Sequence, residues 1–463
     1  MNAPATRRRA FSSTRLGASN TRLGAAIMRL GAAVVLLAAC AAPPVASRKT
    51  SPAEPPPPAQ GATVDARVPT STSPPLPSSA PSSLPQGDPA AEGLDPTRLA
   101  DLVARAEATS SDALVILRNG KLVGAWTFGE PRSPIELMSV TKSIVSLAIG
   151  LLIDEGKIAS VDAPVHHFFP EWNQGQKKDI TVRHLLEHTS GLQHEPSTNV
   201  IYASPDFVRQ ALAAELTHPP GTRWSYNNKA VNLLAGVVHV ASGEKLDDYL
   251  KRKLFLPLGI QESSWERDRA GNPHGMSGLG LHAVDLARIG QLLLDGGVWN
   301  GKRVLSEGWI DTSTAWARER GESGMLWWPV LDWMKFSIDG ELVAQWRKAK
   351  IDGALLRKLI PLQDRTFDSR RAFEEALSGA LGPEGVSALQ ASTSKAGLRT
   401  KKVQLGPTIG YAGDGWLGQF LVVLPAAKLV AVRQRRYPAS EAEVNDPDRR
   451  FPDFIEKVRA LPR

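Results

Sequence analysis

The chain has 463 residues, with 55 Lys and Arg against 47 Asp and Glu, a net charge of +8 and a single cysteine. That length supports one large domain or two with ample core, and one cysteine excludes an intrachain disulfide. The charge excludes little by its size but much by its place. Arg7, Arg8, Arg9, Arg15, Arg22 and Arg29 all precede Cys40, no acidic residue does, and without those six the balance falls to +2. A nearly neutral remainder carries no electrostatic footprint for DNA or RNA, so no nucleic-acid partner is expected.

Residues 1–39 read as an export signal: arginines, then an apolar run over 31–39, then Cys40. Leu37-Ala38-Ala39-Cys40 resembles the bacterial lipobox, in which the cysteine is lipidated and the preceding peptide removed. The match starts near Met28, which makes Met28 a candidate start; Arg8-Arg9 also resembles a twin-arginine signal. Residues 40–93 are rich in Pro, Ser and Ala, with Pro55 to Pro58 consecutive, and are expected to form a disordered tether. Together these segments imply an exported protein, anchored to the bacterial envelope membrane through a lipid on Cys40. The anchored domain would lie in the periplasm or at the outer surface. No later stretch is long and apolar enough to span a bilayer.

A globular domain is expected over 94–463. Asp95 and Pro96 open a helix as cap and first-turn proline, with Leu99, Leu102 and Val103 on its apolar face. A hairpin follows: 113–117, the turn Asn119-Gly120, and 122–126. After a polar loop comes a helix starting at Ser139, then a mainly helical stretch from 163 to about 255. Residues 280–294 read as an amphipathic helix and 325–330 as a strand. A last hairpin pairs 420–424 with 429–432, and 454–461 closes the chain as a helix. Strands at both ends with helices between predict an α+β fold: an antiparallel sheet flanked by helices, with a mostly helical lobe.

Chemistry concentrates at Ser139-Val140-Thr141-Lys142, followed by the apolar run 144–153. Residues i and i+3 are neighbours on a helix. A serine at a helix N-terminus sits among free N–H groups, and a lysine buried one turn on is expected to lose basicity and act as a base. That is an activated nucleophile. The bland reading is coincidence, since Ser392-Thr393-Ser394-Lys395 repeats the pattern in polar sequence.

Other landmarks decide between them. Tyr226-Asn227-Asn228 follows Ser139 at a distance, and of five tyrosines only Tyr226 has Asn two residues on. With the segments Val182 to Leu192, Pro220-Gly221 and Asp285 to Gly290, these motifs resemble the serine β-lactamase and penicillin-binding-protein superfamily, its class C β-lactamase and esterase-like branch most of all. The resemblance covers roughly 95–330 and 410–435. It implies a β-lactamase/transpeptidase-like fold with Ser139 as nucleophile, and with Lys142 and Tyr226 as proton carriers. Asn228 would bind Lys142 or a substrate amide. It implies hydrolysis of a β-lactam, amide or ester bond through an acyl-enzyme, with a small-molecule or peptide substrate and no metal or organic cofactor.

Two departures stand out. The family's third motif, usually Lys-Thr-Gly, is absent; Trp416-Leu417-Gly418-Gln419 is the better match and Tyr411-Ala412-Gly413 an offset one. On the first alignment Trp416, Gly418 and Gln419 would flank the site, the Gln419 N–H joining that of Ser139 as the oxyanion hole. An insertion of about 331–409 is atypical for the family, with helices expected over 341–350, 354–359 and 372–381; its tether to the flanking strand predicts a role in substrate choice. Three rivals remain. One is a non-turnover penicillin-binding or cell-wall-binding protein, and another a D-alanyl-D-alanine carboxypeptidase. The remote one is a zinc metallopeptidase on His184-Leu185-Leu186-Glu187-His188, which matches H-x-x-E-H.

Overall fold

The computed structural model describes residues 84–463 except 130–132, 196, 318 and 320. The export signal, Cys40 and the tether up to residue 83 lie outside the described residues. The tether's last ten residues do not behave as expected. Gln86 bridges Leu122 in parallel and Gly87 N–H donates to Leu122 O at 3.0 Å. This segment covers part of the open edge of a sheet, which is where free strand groups need a partner.

By contact density the chain divides into two compact units. Among described residues one holds Phe336–Phe367 and Ala372–Val403, and the other the remainder. The larger begins with α1 (Pro96–Ala108), β1 (Ala113–Arg118), β2 (Lys121–Thr127), β3 (Ile135–Glu136) and α2 (Val140–Asp154). It continues with α3 (Val182–Leu186), α4 (Thr198–Tyr202), α5 (Phe207–Ala213), α6 (Asn228–Ser242), α7 (Leu246–Leu250), β4 (Ser264–Trp265), β5 (Leu279–Leu281) and α8 (Ala283–Leu294). A two-residue hairpin of β6 (Val298–Trp299) and β7 (Lys302–Arg303), α9 (Glu307–Thr314) and β8 (Trp328–Leu331) lead to the smaller unit. There β9 (Met334–Ser337), α10 (Gly340–Lys348), α11 (Gly353–Lys358), β10 (Thr366–Phe367), α12 (Arg370–Lys395) and β11 (Lys402–Leu405) follow. The chain ends in β12 (Thr408–Gly415), β13 (Gln419–Leu424), β14 (Leu429–Gln434), α13 (Glu441–Asn445) and α14 (Phe454–Arg459).

The main sheet has the order β2-β1-β14-β13-β12-β8, each neighbour antiparallel. The predicted Asn119-Gly120 turn is there, both residues at positive φ (53° and 77°), as a tight right-twisted hairpin requires. Side-chain alternation sorts the strands onto two cores. Val115, Leu117, Tyr411, Leu421, Val423, Val430 and Val432 pack with α2, α6 and α8. Leu114, Ile116, Ala412, Phe420, Val422 and Ala431 pack with α1 and α14. Central strands buried on both faces explain why β1, β13 and β14 read as continuous apolar runs rather than alternating ones. Helix α2 is buried from Val140 to Leu152 on every side, the property of a helix inside a core.

The smaller unit contains the three helices expected of the insertion. The third stops where Gly382 turns to φ 69° ahead of Pro383, so α12 is two helices end to end. Phe336, Phe367 and Phe373 form its aromatic centre, and Trp346 Nε1 donates to Arg399 O at 2.8 Å. The decoy Ser392–Lys395 lies at the end of α12 with Lys395 exposed.

Candidate active site

Ser139 enters from a strained approach. Met138 sits at φ 48°, a left-handed conformation that a side chain adopts only under constraint. The constraint is double: Leu137 N–H donates to Leu279 O at 2.8 Å, and Leu137 O accepts the first helical bond, from Val140 N–H, at 3.0 Å. Ser139 caps α2 with φ −70° and ψ −10°, and its hydroxyl makes no capping bond. Its Oγ instead accepts from Lys142 Nζ at 2.9 Å and from Tyr226 OH at 3.0 Å. Lys142 is 3% exposed; it also donates to Met276 O at 2.7 Å and lies 5.0 Å from the Tyr226 ring centroid. Three residues predicted from motifs 87 positions apart thus meet within hydrogen-bond reach.

The wall carrying Tyr226 is aromatic. Its ring stacks on Trp328 of β8 (6.4 Å, 24°) and leans on His188 (4.6 Å), while Trp224 meets both His188 and Trp328 edge-on. His188 stands at φ 57° and its Nδ1 accepts the Asn227 N–H at 3.1 Å. Burial, then the Lys142 charge, pushes His188 down to about 3, so it is a neutral acceptor at any working pH. Asn227 in turn caps α6 through Ala230 N–H (3.1 Å) and donates to Leu192 O at 2.7 Å. The His-Thr-Ser-Gly stretch therefore holds the backbone that presents Tyr226. Asn228 opens α6, nearly fully buried, its Oδ1 without a hydrogen-bond partner. Lys229, equally buried, pairs with Glu195 at 2.7 Å.

The zinc pattern does not survive this geometry. Helix α3 ends at Leu186, Glu187 is its cap and His188 turns left-handed, so His184 and His188 do not share a helical face. His184 Nδ1 accepts from Thr181 N–H in a capping box. Among the described residues no cluster of three or more His, Cys, Asp or Glu could hold a metal.

The third motif falls between the two registers. The strand laid against α2 is β12, at Gly413 and Gly415. A side chain at Gly413 would put its Cβ 2.9 Å from Val140 Cγ1 and 3.1 Å from Ser143 Oγ. One at Gly415 would meet Leu137 O at 2.6 Å and Ser139 N at 3.1 Å. Gly413 thus lies over the side chains of Val140 and Ser143, and Gly415, directly before Trp416, is the residue at the Ser139 N–H. Trp416–Gly418 instead form the turn between β12 and β13, with Leu417 and Gly418 at positive φ. Buried Arg433 clamps that turn by donating to Leu417 O (2.9 Å) and Gly418 O (2.7 Å). Gln419 is fully buried at the start of β13; its side chain bonds both the N–H and the C=O of Arg435. Its pairing partner is Gly415.

Sequence reasoning missed Met276, whose contribution is a backbone carbonyl and so leaves no side-chain signature. It also missed Glu136, three residues before Ser139, and Asp414, whose carboxyl burial pushes up to about 7.

A six-stranded antiparallel sheet, a buried helix capped by a serine and a lysine-tyrosine pair on that serine define a β-lactamase/transpeptidase-like fold. The chain belongs to the Beta-lactamase family, whose model matches residues 99–451. It is 28% identical over 249 residues to the 6-aminohexanoate-dimer hydrolase of Paenarthrobacter ureafaciens (47% of this chain, 61% of that protein). It is 30% identical over 216 residues to esterase EstB of Burkholderia gladioli (37% and 55%). The matched part spans little more than half the length of these relatives. Among solved structures, a Bacteroides dorei protein assigned as a beta-lactamase superposes with TM-score 0.54 at 16% identity, covering 80% of this chain and 99% of that one. That likeness shows the fold.

Proposed function

We propose that the chain hydrolyses a carboxylic ester or small amide by two-step acyl transfer on Ser139. The observation that supports it is the serine oxygen held at 2.9 Å from Lys142 Nζ and 3.0 Å from Tyr226 OH. Ser139 Oγ attacks the substrate carbonyl and its proton passes to the Lys142–Tyr226 pair. The oxyanion rests on the N–H of Ser139 and a second N–H from β12 near Gly413 and Gly415. Tyr226 then protonates the leaving alcohol or amine as the tetrahedral carbon–heteroatom bond breaks. A water, deprotonated by the same pair, attacks the acyl carbonyl and releases the acid.

Ester and amide are favoured over penicillins for two reasons. Strand β12, Thr408–Gly415, contains no Lys or Arg at any position, so it offers no cation for a β-lactam carboxylate. The two named relatives are a 6-aminohexanoate-dimer hydrolase and an esterase. We also propose that Cys40 carries the lipid that tethers the domain to the envelope.

The test is intact-mass analysis and turnover with a p-nitrophenyl ester and a fluorescent penicillin, on wild type and Ser139→Ala. Ester turnover should fall at least about 10³-fold in the variant. Stable penicillin labelling without turnover would favour the non-turnover binder. Inactivity of the wild type with both probes, or an active Ser139→Ala, would sink the reading.

A further inference from the structure

Four consecutive residues behind the site, 276–279, are each tied down by a side chain from a different part of the fold. Asn232 Oδ1 of α6 accepts from Met276 N–H at 2.9 Å. Tyr202 OH meets Ser277 Oγ at 2.8 Å. Glu136 Oε1 of β3 accepts from Gly278 N–H at 3.1 Å, and Thr141 Oγ1 of α2 accepts from Leu279 N–H at 3.4 Å. So much anchoring serves a single point of contact with the chemistry: Met276 O, which receives Lys142 Nζ at 2.7 Å. A backbone carbonyl cannot be tuned by its own side chain. It is tuned by whatever holds its loop.

Of the four anchors, only Glu136 both carries a carboxyl group and borders open space. With Ile135, Met138, Arg435, Arg436 and Tyr437 it lines a cleft of about 320 Å³, which gives its carboxyl a path for proton exchange. The charged groups around it are few. Glu266, just after β4, opposes its ionisation, and Gly278 N–H favours it. Across the cleft Arg435 is occupied by Glu443 (3.7 Å), and Arg436 by Ser133 (2.8 Å to its O) and Asp112.

Resting on the acyl-transfer reading above, we propose that Glu136 is a positioning residue. As a carboxylate it holds the loop 276–279, and through Met276 O it holds the Lys142 amine against Ser139. Protonation of Glu136 replaces a charge-assisted bond to Gly278 N–H by a neutral one of roughly half the strength, and the amine loses its fixed acceptor. Burial and Glu266 put this carboxyl at about 7, inside the range where an enzyme is assayed.

The experiment measures the rate at which a fluorophosphonate labels Ser139 from pH 5.5 to 8.5 in wild type, Glu136→Gln and Glu136→Leu. Glutamine keeps an acceptor oxygen and removes the titration. Because Ser139, Lys142 and Tyr226 are common to both proteins, their own pH dependence cancels in the wild-type to Glu136→Gln ratio. That ratio should rise about three- to tenfold with pH, with a midpoint near 7. Glu136→Leu, checked for folding by thermal melt, should label about 10- to 100-fold more slowly at every pH. A ratio flat across the range overturns the proposal, and it does so even where Glu136→Leu fails to fold. A folded Glu136→Leu labelling within twofold of wild type overturns it as well. Failure of wild type to label at Ser139 would instead count against the acyl-transfer reading, so the two outcomes are distinguishable.

Discussion

Gly415→Ala isolates the contact between β12 and the proposed nucleophile, Ser139. At Gly415 the backbone has φ −135° and ψ 150°, a conformation open to any residue, so an added methyl brings no dihedral strain. What it brings is collision. The new Cβ would lie 2.6 Å from Leu137 O and 3.1 Å from Ser139 N, where ordinary contact begins at about 3.4 Å. Gln419 Cβ lies 3.0 Å away as well, and none of the three atoms is the free end of a side chain that could rotate away. The strand or the start of α2 must shift by roughly 0.8 Å, the difference between those contact distances. Leu137 O also accepts the Val140 N–H, so the shift travels into the turn that carries Ser139. A misplacement near 1 Å costs about 10²-fold in rate, and loss of one oxyanion donor about 10²–10³-fold. We expect kcat for a p-nitrophenyl ester to fall about 10²-fold, with overpacking costing about 1–3 kcal/mol of stability. Gly413→Ala is the control, because its nearest atoms are the side-chain ends Val140 Cγ1 (2.9 Å) and Ser143 Oγ (3.1 Å). It should stay within about tenfold of wild type. If Gly415→Ala keeps kcat within threefold, or if Gly413→Ala is the more damaged, the register assigned to β12 is wrong.

Two further outcomes follow from burial and from the proposed lipid anchor. Asp414 is raised by burial from 3.8 to about 7, so the native state holds its proton more tightly than the unfolded chain. The stability this contributes is complete below pH 3.8 and lost as pH rises toward 7. Asp414→Asn should therefore gain on wild type between pH 5 and 8 in denaturant titrations, by up to about 3 kcal/mol; an unchanged difference would refute the raised carboxyl. His188 and His274, lowered to about 3 and about 4, act in the opposite sense in both proteins below their ordinary 6.5 and cancel in that comparison. Cys40→Ala should abolish incorporation of labelled palmitate and move the protein from the membrane to the soluble fraction of its bacterial host. Retention at the membrane with no label in the unmutated protein would refute the lipid anchor.

Legibility tracked how local each feature is. The Asn119-Gly120 hairpin, the Asp95 cap and the Ser139–Lys142 turn are settled by neighbours a few residues apart, and all were readable. Sequence analysis made 325–330 a strand, whereas the strand is Trp328–Leu331. Leu326 is at φ 67° because Ser143 Oγ, 183 residues away, holds its carbonyl at 2.7 Å. Likewise 280–294 read as one amphipathic helix. Its first residues form β5, because β3 and β4 claim Gly280 and Leu281 as pairing partners. The tether's last residues were judged by composition, yet Gln86 finds a strand edge. In each case a distant partner overrode a local preference.

The same distinction bears on the catalytic set. Ser139 and Lys142 are three residues apart and Tyr226 lies 87 from the serine, but all three meet through side chains, so motifs report them. Lys142 meets Met276 across 134 residues through a carbonyl that every amino acid possesses. The Met276 side chain takes no part in that bond, and its burial beside Ile201 and Phe207 is a matter of packing. The side-chain requirement is displaced onto Asn232 and Glu136, which grip the loop's N–H groups with oxygens that an apolar residue lacks. A chain that kept Ser139, Lys142 and Tyr226 but lost those two oxygens would still match every motif used here. Its lysine would face a loop free to move, and its serine would be the weaker nucleophile.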